Sequence, residues 1–324
     1  MDVGDLFWRT TWECTPRRQF HRLRRPRSLR SAVAGKRVVL TGASSGIGRE
    51  TALLLGNAGA ELILVARRAH RLAQVAEGID GAPVHVHPCD LTDPDQVARL
   101  TTHVLEMGGA DILINNAGHS IRRALVNSRD PFNDTERQIR LNFLGALRLT
   151  LPLLADMRAR GDGHIVNVST FGTQIGALPH FSGYLASKAA FEAFARSTAP
   201  ETRADGVRWT IVNMPLVRTA MSARGGINQN SAMSARSAAR VIAHAVVHRP
   251  ARISHPVGLA ARLSDLLFPR TVERIMARSV DPVRNRQLPL AEGAPSGGAP
   301  TGGAAGGGAA GGLQPVRPSR DRSG

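Results

Sequence analysis

Short, nearly unbroken apolar runs alternate with stretches of helical spacing from about Arg37 to Asp281. "RVVLTG" (37–42), "ELILVARR" (61–68), "PVHVHPCDL" (83–91), "DILINNAG" (111–118), "HIVNVST" (164–170) and "VRWTIVNM" (207–214) read as strands, with "RISHP" (252–256) the faintest of the set. Between them, segments such as "SSGIGRETALLLGNAG" (44–59), "DPDQVARLTTHVLEMG" (93–108), residues 134–160 and residues 182–203 carry the 3.6-residue spacing of helices. Strands that are apolar along their length need cover on both faces. The pattern therefore implies an α/β fold, a parallel sheet with helices on either side. Nothing inside the alternating region resembles a linker, which predicts one domain over 36–288.

What flanks that domain differs in kind. The N-terminal arm, residues 1–35, is rich in arginine; residues 1–37 hold ten basic side chains and three acidic ones, a share of +7 in a chain of net charge +17. Phe7, Trp8, Trp12 and Phe20 sit among these arginines, a mixture suited to peripheral contact with an anionic membrane rather than to nucleic acid. Residues 289–324 are rich in Gly, Ala and Pro and cannot bury a core, so a disordered tail is expected. Two cysteines, Cys14 and Cys89, cannot make a disulfide framework and point to a cytoplasmic compartment. His85, His87 and Cys89 alternate along one strand, which strand packing explains; no metal is expected there.

Ligands of such sheets bind beyond the carboxyl ends of the strands. The first strand runs into Gly42, Ser44, Ser45, Gly46, Ile47 and Gly48, and a helix opens there. The first glycine permits a tight turn, the second a close backbone approach, and the third close helix–sheet packing. The free N–H groups of the helix start suit a pyrophosphate. The second strand ends at Arg67-Arg68 where an acid would hold unmodified ribose hydroxyls. An arginine suits a 2′-phosphate, so NADP(H) is the expected cofactor, with Arg49 in support.

Tyr184 is the only tyrosine of the chain, and Lys188 is one of two lysines among many arginines. Their i, i+4 spacing sets both on one helical face. An ammonium beside a phenol favours the phenolate and would lower its pKa from about 10, making it a proton donor or acceptor near neutral pH. A planar guanidinium cannot replace that compact charge.

Taken together, "TGASSGIG", "CDLTD", "NNAG", "LNFLG", "IVNVST" and "YLASK" resemble the short-chain dehydrogenase/reductase family over about Gly35 to Pro256. The resemblance implies a single Rossmann-type, doubly wound sheet of about seven strands. It implies that Tyr184 protonates a carbonyl oxygen, that Lys188 holds the nicotinamide ribose, and that Asn142 holds a water leading from Lys188 to solvent. It also implies Asp90 and Leu91 near the adenine, and Asn116, Ala117 and Gly118 along the cofactor cleft. Two departures stand out. Phe171 occupies the position, thirteen before the tyrosine, where the family has its serine. The strand-end pattern offers Thr170 for that hydroxyl, with Ser169 as the alternative. Where the family has "PG" this chain has Met214-Pro215, leaving Pro215, Val217 and Thr219 to border the nicotinamide.

"NFLGALRLTLPLLADMRARGDGHIVNVST", "FSGYLASKAAFEAF" and "MPLVRTAM" are further similar to the reductase domain of bacterial fatty acyl-CoA reductases. That similarity implies a lipophilic carbonyl or alcohol substrate, an acyl-CoA or long-chain aldehyde or ketone, sheltered by segments around 220–280. A homo-oligomer, dimer or tetramer, is the family expectation. Two other readings stay open: an alcohol or hydroxysteroid-type dehydrogenase of another substrate, and a Rossmann-domain binding protein whose basic arm makes the contact.

Overall fold

The computed structural model describes residues 28–175, 177–224, 229–278 and 280. Most of the expected N-terminal arm and all of the Gly-rich tail lie outside the described residues, as do Phe7, Trp8, Trp12 and Phe20. The chain runs α1 (Leu29–Val33), β1 (Arg37–Thr41), α2 (Gly46–Gly56), β2 (Glu61–Ala66), α3 (Ala69–Ala76), β3 (Val84–Pro88), α4 (Pro94–Glu106) and β4 (Ile112–Asn115). It continues through α5 (Pro131–Ile139), a π-helical turn (Arg140–Gly145), α6 (Ala146–Arg160), β5 (Gly163–Thr170), a short 3₁₀ turn (Phe171–Gln174) and α7 (Ser182–Glu201). Then come β6 (Val207–Met214), α8 (Ala220–Arg224), α9 (Ala235–His248), β7 (Arg252–Ile253), α10 (Pro256–Leu267) and α11 (Pro269–Arg278).

The strands form one seven-stranded sheet in the order β3-β2-β1-β4-β5-β6-β7, every pair parallel. This is the doubly wound Rossmann-type arrangement, with its switch point between β1 and β4. Strand period explains the two cores. Val38 and Leu40 point to the face that holds Ala52, Leu55, Ile242 and Val246, whereas Val39 points to the face with Val97, Leu100, Leu149 and Leu153. β1, β2 and β4 are covered on both sides, which is why their sequences are apolar between their ends.

Local chemistry sets the helix ends. The Asp93 carboxylate caps α4 by accepting from the Asp95 and Gln96 N–H groups, and Pro94 follows at the first helical position. The region expected as one helix over 134–160 starts earlier, at Pro131, capped by Asp130. It is also broken by the π turn at Arg140–Gly145, where Gly145 packs so closely on the Leu91 carbonyl that a β-carbon would collide with it. The faint strand at "RISHP" is two residues long and pairs with β6 at the sheet edge.

One buried polar group gives the fold a pH dependence. His164 on β5 is fully buried, its Nε2 2.9 Å from the Thr210 hydroxyl. Thr210 donates its own proton to the Pro250 carbonyl at 2.6 Å, so Nε2–H is the donor and Nδ1 carries the lone pair. Nδ1 has no partner among the described residues. Protonating it would bury an unpaired cation, and burial holds the ring down to about 3. A folded pKa below the unfolded value of about 6.5 means stability is fully present above pH 6.5 and is lost as pH falls towards 3. Urea unfolding of the parent protein should weaken through this window by up to about 1.4 kcal/mol per pH unit more steeply than that of His164→Gln. Identical slopes would show that His164 does not stay neutral in the fold.

Candidate active site

The carboxyl ends of β1, β4, β5 and β6 converge on one crevice. At its floor the Thr41 hydroxyl donates to the Ile114 carbonyl (3.2 Å) and accepts from the Asn116 and Ala117 N–H groups (both 3.0 Å). The Asn116 amide returns to the Thr41 carbonyl at 2.9 Å. The segment after β4 is thereby stitched to the glycine loop after β1. Gly42 and Gly46 have left-handed φ values of 69° and 56°. A β-carbon on Gly42 would stand 2.9 Å from the Ala117 Cα, and one on Gly48 would strike the Gly42 carbonyl. Ser44 and Ser45 sit on the open side of the loop, and the Ser45 side chain leaves the start of α2 uncapped. Ile47 packs into the core on the other side. The cradle is open to an anion at the helix start and admits no side chain at its glycines, as a bound pyrophosphate requires.

Thr219 reaches this loop from the far side of the crevice: its Cγ2 lies 3.1 Å from where a β-carbon of Gly46 would be. The segment after β6 is held by main-chain bonds between Arg218 N–H and the Met233 carbonyl (2.8 Å) and between Met233 N–H and the Leu216 carbonyl (2.9 Å). Pro215 and Val217 are buried along it.

Arg67 follows β2 and is 76% exposed, its guanidinium 3.8 Å from the Asp90 carboxylate. The other Asp90 oxygen accepts from the Thr92 N–H and hydroxyl. Leu91 is buried beside Asp90. Arg49 turns to Glu50 at 2.7 Å, which leaves Arg67 the better-placed cation at the end of β2.

Tyr184 and Lys188 lie one turn apart near the start of α7. The Tyr184 phenol lies beside the Thr170 side chain, whose hydroxyl accepts from the Gly172 N–H at 3.2 Å. Burial pushes the phenol up to about 12 and the Thr170 side chain pulls in the opposite sense. The spacing of tyrosine and lysine predicts a lowered phenol, and the structure shows the reverse because desolvation dominates. Lys188 is buried, its ammonium donating to the Val168 carbonyl at 2.9 Å, and burial brings it down to about 8 while the Glu192 charge opposes that shift. Nζ stands 3.3 Å from where a β-carbon of Gly118 would be, and the Asn142 Oδ1 stands 3.5 Å from the same point. Asn142, on the π turn, commits its side chain to the His119 N–H (2.7 Å), the His119 carbonyl (2.8 Å) and the Ser187 hydroxyl (2.9 Å). It ties the π turn to the His119 backbone and to α7.

The two hydroxyls at the end of β5 separate cleanly. Thr170 faces Tyr184, whereas Ser169 turns away and donates to Glu192 at 2.5 Å. Glu192 is the residue that sequence reasoning missed. It is buried and accepts from Ser169, from Thr173 at 2.5 Å, from the Asn213 amide at 2.7 Å and from Arg252 at 3.1 Å. The Asn213 amide also reaches the Thr170 carbonyl at 3.2 Å. One carboxylate thus holds the register that presents Thr170. Its position four residues beyond Lys188, on the same helical face, was the available signal.

The alternating His85, His87 and Cys89 go to separate partners. His85 meets Glu61 at 3.2 Å, His87 lies against the His103 ring, and the buried Cys89 thiol is pushed up to about 11 by burial. No group of three or more metal-binding side chains occurs among the described residues.

Residues 36–230 match the family model described as short chain dehydrogenase. An uncharacterized oxidoreductase of Mycobacterium bovis is 45% identical over 260 residues, spanning 78% of this chain and 76% of the relative. A fatty acyl-CoA reductase of Mycobacterium tuberculosis is 42% identical over 260 residues, spanning 79% and 87%. Among solved structures, a metagenomic short-chain oxidoreductase in complex with NADP superposes with a TM-score of 0.60 at 28% identity, covering 69% of this chain and 98% of its own.

The Glu192 cluster carries its own expectation. Glu192→Ala leaves Arg252 without its anion and should cost about 3–5 kcal/mol of stability. Ser169→Ala removes one donor of four and should cost about 1.5–3 kcal/mol. Chemical denaturation of both variants measures this; equal and negligible losses would show that the carboxylate does not organise the end of β5.

Proposed function

The chain belongs to the short chain dehydrogenase family, and from that premise we propose that it is an NADP(H)-dependent reductase of a lipophilic carbonyl compound, with a fatty acyl-CoA or long-chain aldehyde as the preferred substrate class. The observation that carries the reading is the Tyr184 phenol on the Thr170 side chain, one helical turn from the buried Lys188. The family assigns a nicotinamide cofactor, and the glycine cradle fits its pyrophosphate. Gly42 to Gly48 would hold that pyrophosphate, Asp90 and Leu91 would flank the adenine, and Asn116, Ala117, Gly118, Pro215, Val217 and Thr219 would border the nicotinamide side. Lys188 would hold the ribose. When bound, the cofactor supplies the hydride.

The rest of the chemistry belongs to the chain. A phenol pushed up to about 12 is neutral at physiological pH, so Tyr184 has a proton to give to a carbonyl oxygen as negative charge develops there. The Thr170 hydroxyl lies beside the phenol and can donate a second hydrogen bond to the same oxygen. Lys188, lowered to about 8 and still mainly ammonium at pH 7, stabilises the phenolate left behind. A lipophilic substrate is supported by the acyl-CoA reductase relative and by the cleft rim. There Leu125, Val126 and Phe132 are exposed on the segment that bonds across to His180, just before α7. A panel of acyl-CoAs, fatty aldehydes and ketosteroids with NADPH tests the substrate class; turnover confined to short polar alcohols would reject it.

Tyr184→Phe should abolish nearly all turnover while cofactor affinity changes little. Thr170→Ala should lose roughly 10²–10³ in kcat, the loss typical of one preorganised donor. Ser169→Ala should lose far less rate than Thr170→Ala at a temperature where both are folded. A crippled Ser169→Ala enzyme beside an active Thr170→Ala enzyme would reverse the assignment.

The NADP(H) preference is ascribed to Arg67, which ends the strand beside the adenosine ribose. Exposure weakens its charge-assisted pair with a 2′-phosphate, so the preference from this residue should be roughly tenfold. Arg67→Asp also sets a second acid beside Asp90 and should turn selectivity towards NADH. Comparing kcat/KM for both cofactors decides it, and unchanged selectivity would mean that the phosphate is read elsewhere.

A further inference from the structure

The last two described helices bury almost nothing. α10 stands on the turn Phe171–Gln174 through Gly258, where a β-carbon would come within 3.0 Å of the Phe171 ring. α11 packs on α10 and contains no buried residue. On α10, Leu259, Leu263, Leu266 and Leu267 follow i, i+4, i+7, i+8 spacing and make one stripe, with Leu266 77% exposed. Phe268 (61% exposed) and Ile275 (55%) extend it across the bend onto α11. A contiguous apolar patch of this kind marks an interaction surface.

The charges beside the patch identify the partner. Arg270, Arg274 and Arg278 recur every fourth residue along α11 and are exposed, and Arg262 is exposed on α10. These four arginines face only two acids, Asp265 and Glu273, over residues 256–278. An apolar stripe edged by a basic one is the pattern of a helix lying in the plane of a bilayer surface. Other occupants fit less well. A second copy related by a two-fold axis would bring the same arginine-rich face against itself. The chain's own N-terminal residues 1–37 carry a net +7 and would be repelled.

We propose that the α10–α11 hairpin is a docking surface for an anionic lipid bilayer. The contact is peripheral, since no helix among the described residues is long and apolar enough to cross a membrane. It belongs to the folded domain and is distinct from the aromatic, basic arm. The hairpin is rooted on the turn directly after Thr170, so a docked bilayer lies at the end of the sheet where a lipophilic substrate would enter. The proposal goes beyond the catalytic reading and stands without it.

The test is co-sedimentation of the full chain with vesicles, using phosphatidylglycerol mixed with phosphatidylcholine or phosphatidylcholine alone. The parent should bind the anionic vesicles, and less so as salt rises. Leu263→Asp with Leu266→Asp should weaken binding roughly a hundredfold, by removing two buried anchors. Arg270→Gln with Arg274→Gln should weaken it roughly thirtyfold. Both pairs are exposed, so melting temperatures should hold, which keeps a loss of binding from being a loss of fold. Unchanged binding in both variants overturns the proposal. So does binding lost only on deletion of residues 1–27. If the leucine variant instead splits an oligomer in sedimentation velocity and leaves vesicle binding intact, the patch is a self-interface and the proposal fails.

Discussion

The single hydroxyl of Thr41 ties the architecture together. It answers two N–H groups and one carbonyl of the neighbouring strand end, and the backbone beneath it takes the Asn116 amide. A parallel sheet leaves its strand ends unpaired where ligands bind, and buried polar groups there need partners. Thr41 supplies them for the loops after both β1 and β4. The glycine cradle can therefore approach the Asn116–Gly118 segment closely, and Gly118 can sit against Lys188. The crevice walls are fixed from below before any ligand contributes.

Burial is the second organising force, and it acts on Tyr184 and Lys188 in opposite directions. The phenol rises and the ammonium falls, because each loses water that favours its charged form. The two affinities for a proton, nearly equal in water at about 10 and 10.5, are drawn apart, the phenol to about 12 and the ammonium to about 8. The phenol therefore keeps its proton at neutral pH, and Lys188 is the group of the two that releases one more readily. Thr170 lowers the phenol from one side and Glu192 raises the ammonium from the other, so the final balance depends on neighbours from the end of β5 and from the next turn of α7.

The parts of the site legible in the sequence are those carried by local spacing. Gly42, Gly46 and Gly48 read directly because a turn and a close contact demand glycine. Tyr184 and Lys188 stand out because the chain uses almost no other tyrosine or lysine. The strands read well where both faces are covered, and poorly at β7, whose two residues leave no period to detect. The choice between Ser169 and Thr170 was not legible, since it depends on which face each presents at a strand end. Glu192 decides that from 22 or 23 residues away. The π turn at Arg140–Gly145 is not legible from spacing, since the contact of Gly145 with the Leu91 carbonyl joins residues far apart in sequence. The direction of the Tyr184 shift is hidden for a related reason: spacing reveals a neighbour's charge but not how much water the fold removes.

Arg252, one of the two residues of β7, is the cation that neutralises Glu192. The shortest strand of the sheet, on its exposed edge, is thus wired to the turn that presents Thr170. Edge elements open locally far more readily than the interior of a sheet. When β7 frays, the Glu192 carboxylate loses its counter-ion, and Asn213, Thr173 and Ser169 lose the fixed acceptor they share. The Thr170 side of the candidate site therefore inherits the lifetime of the sheet's weakest strand, not the durability of its core.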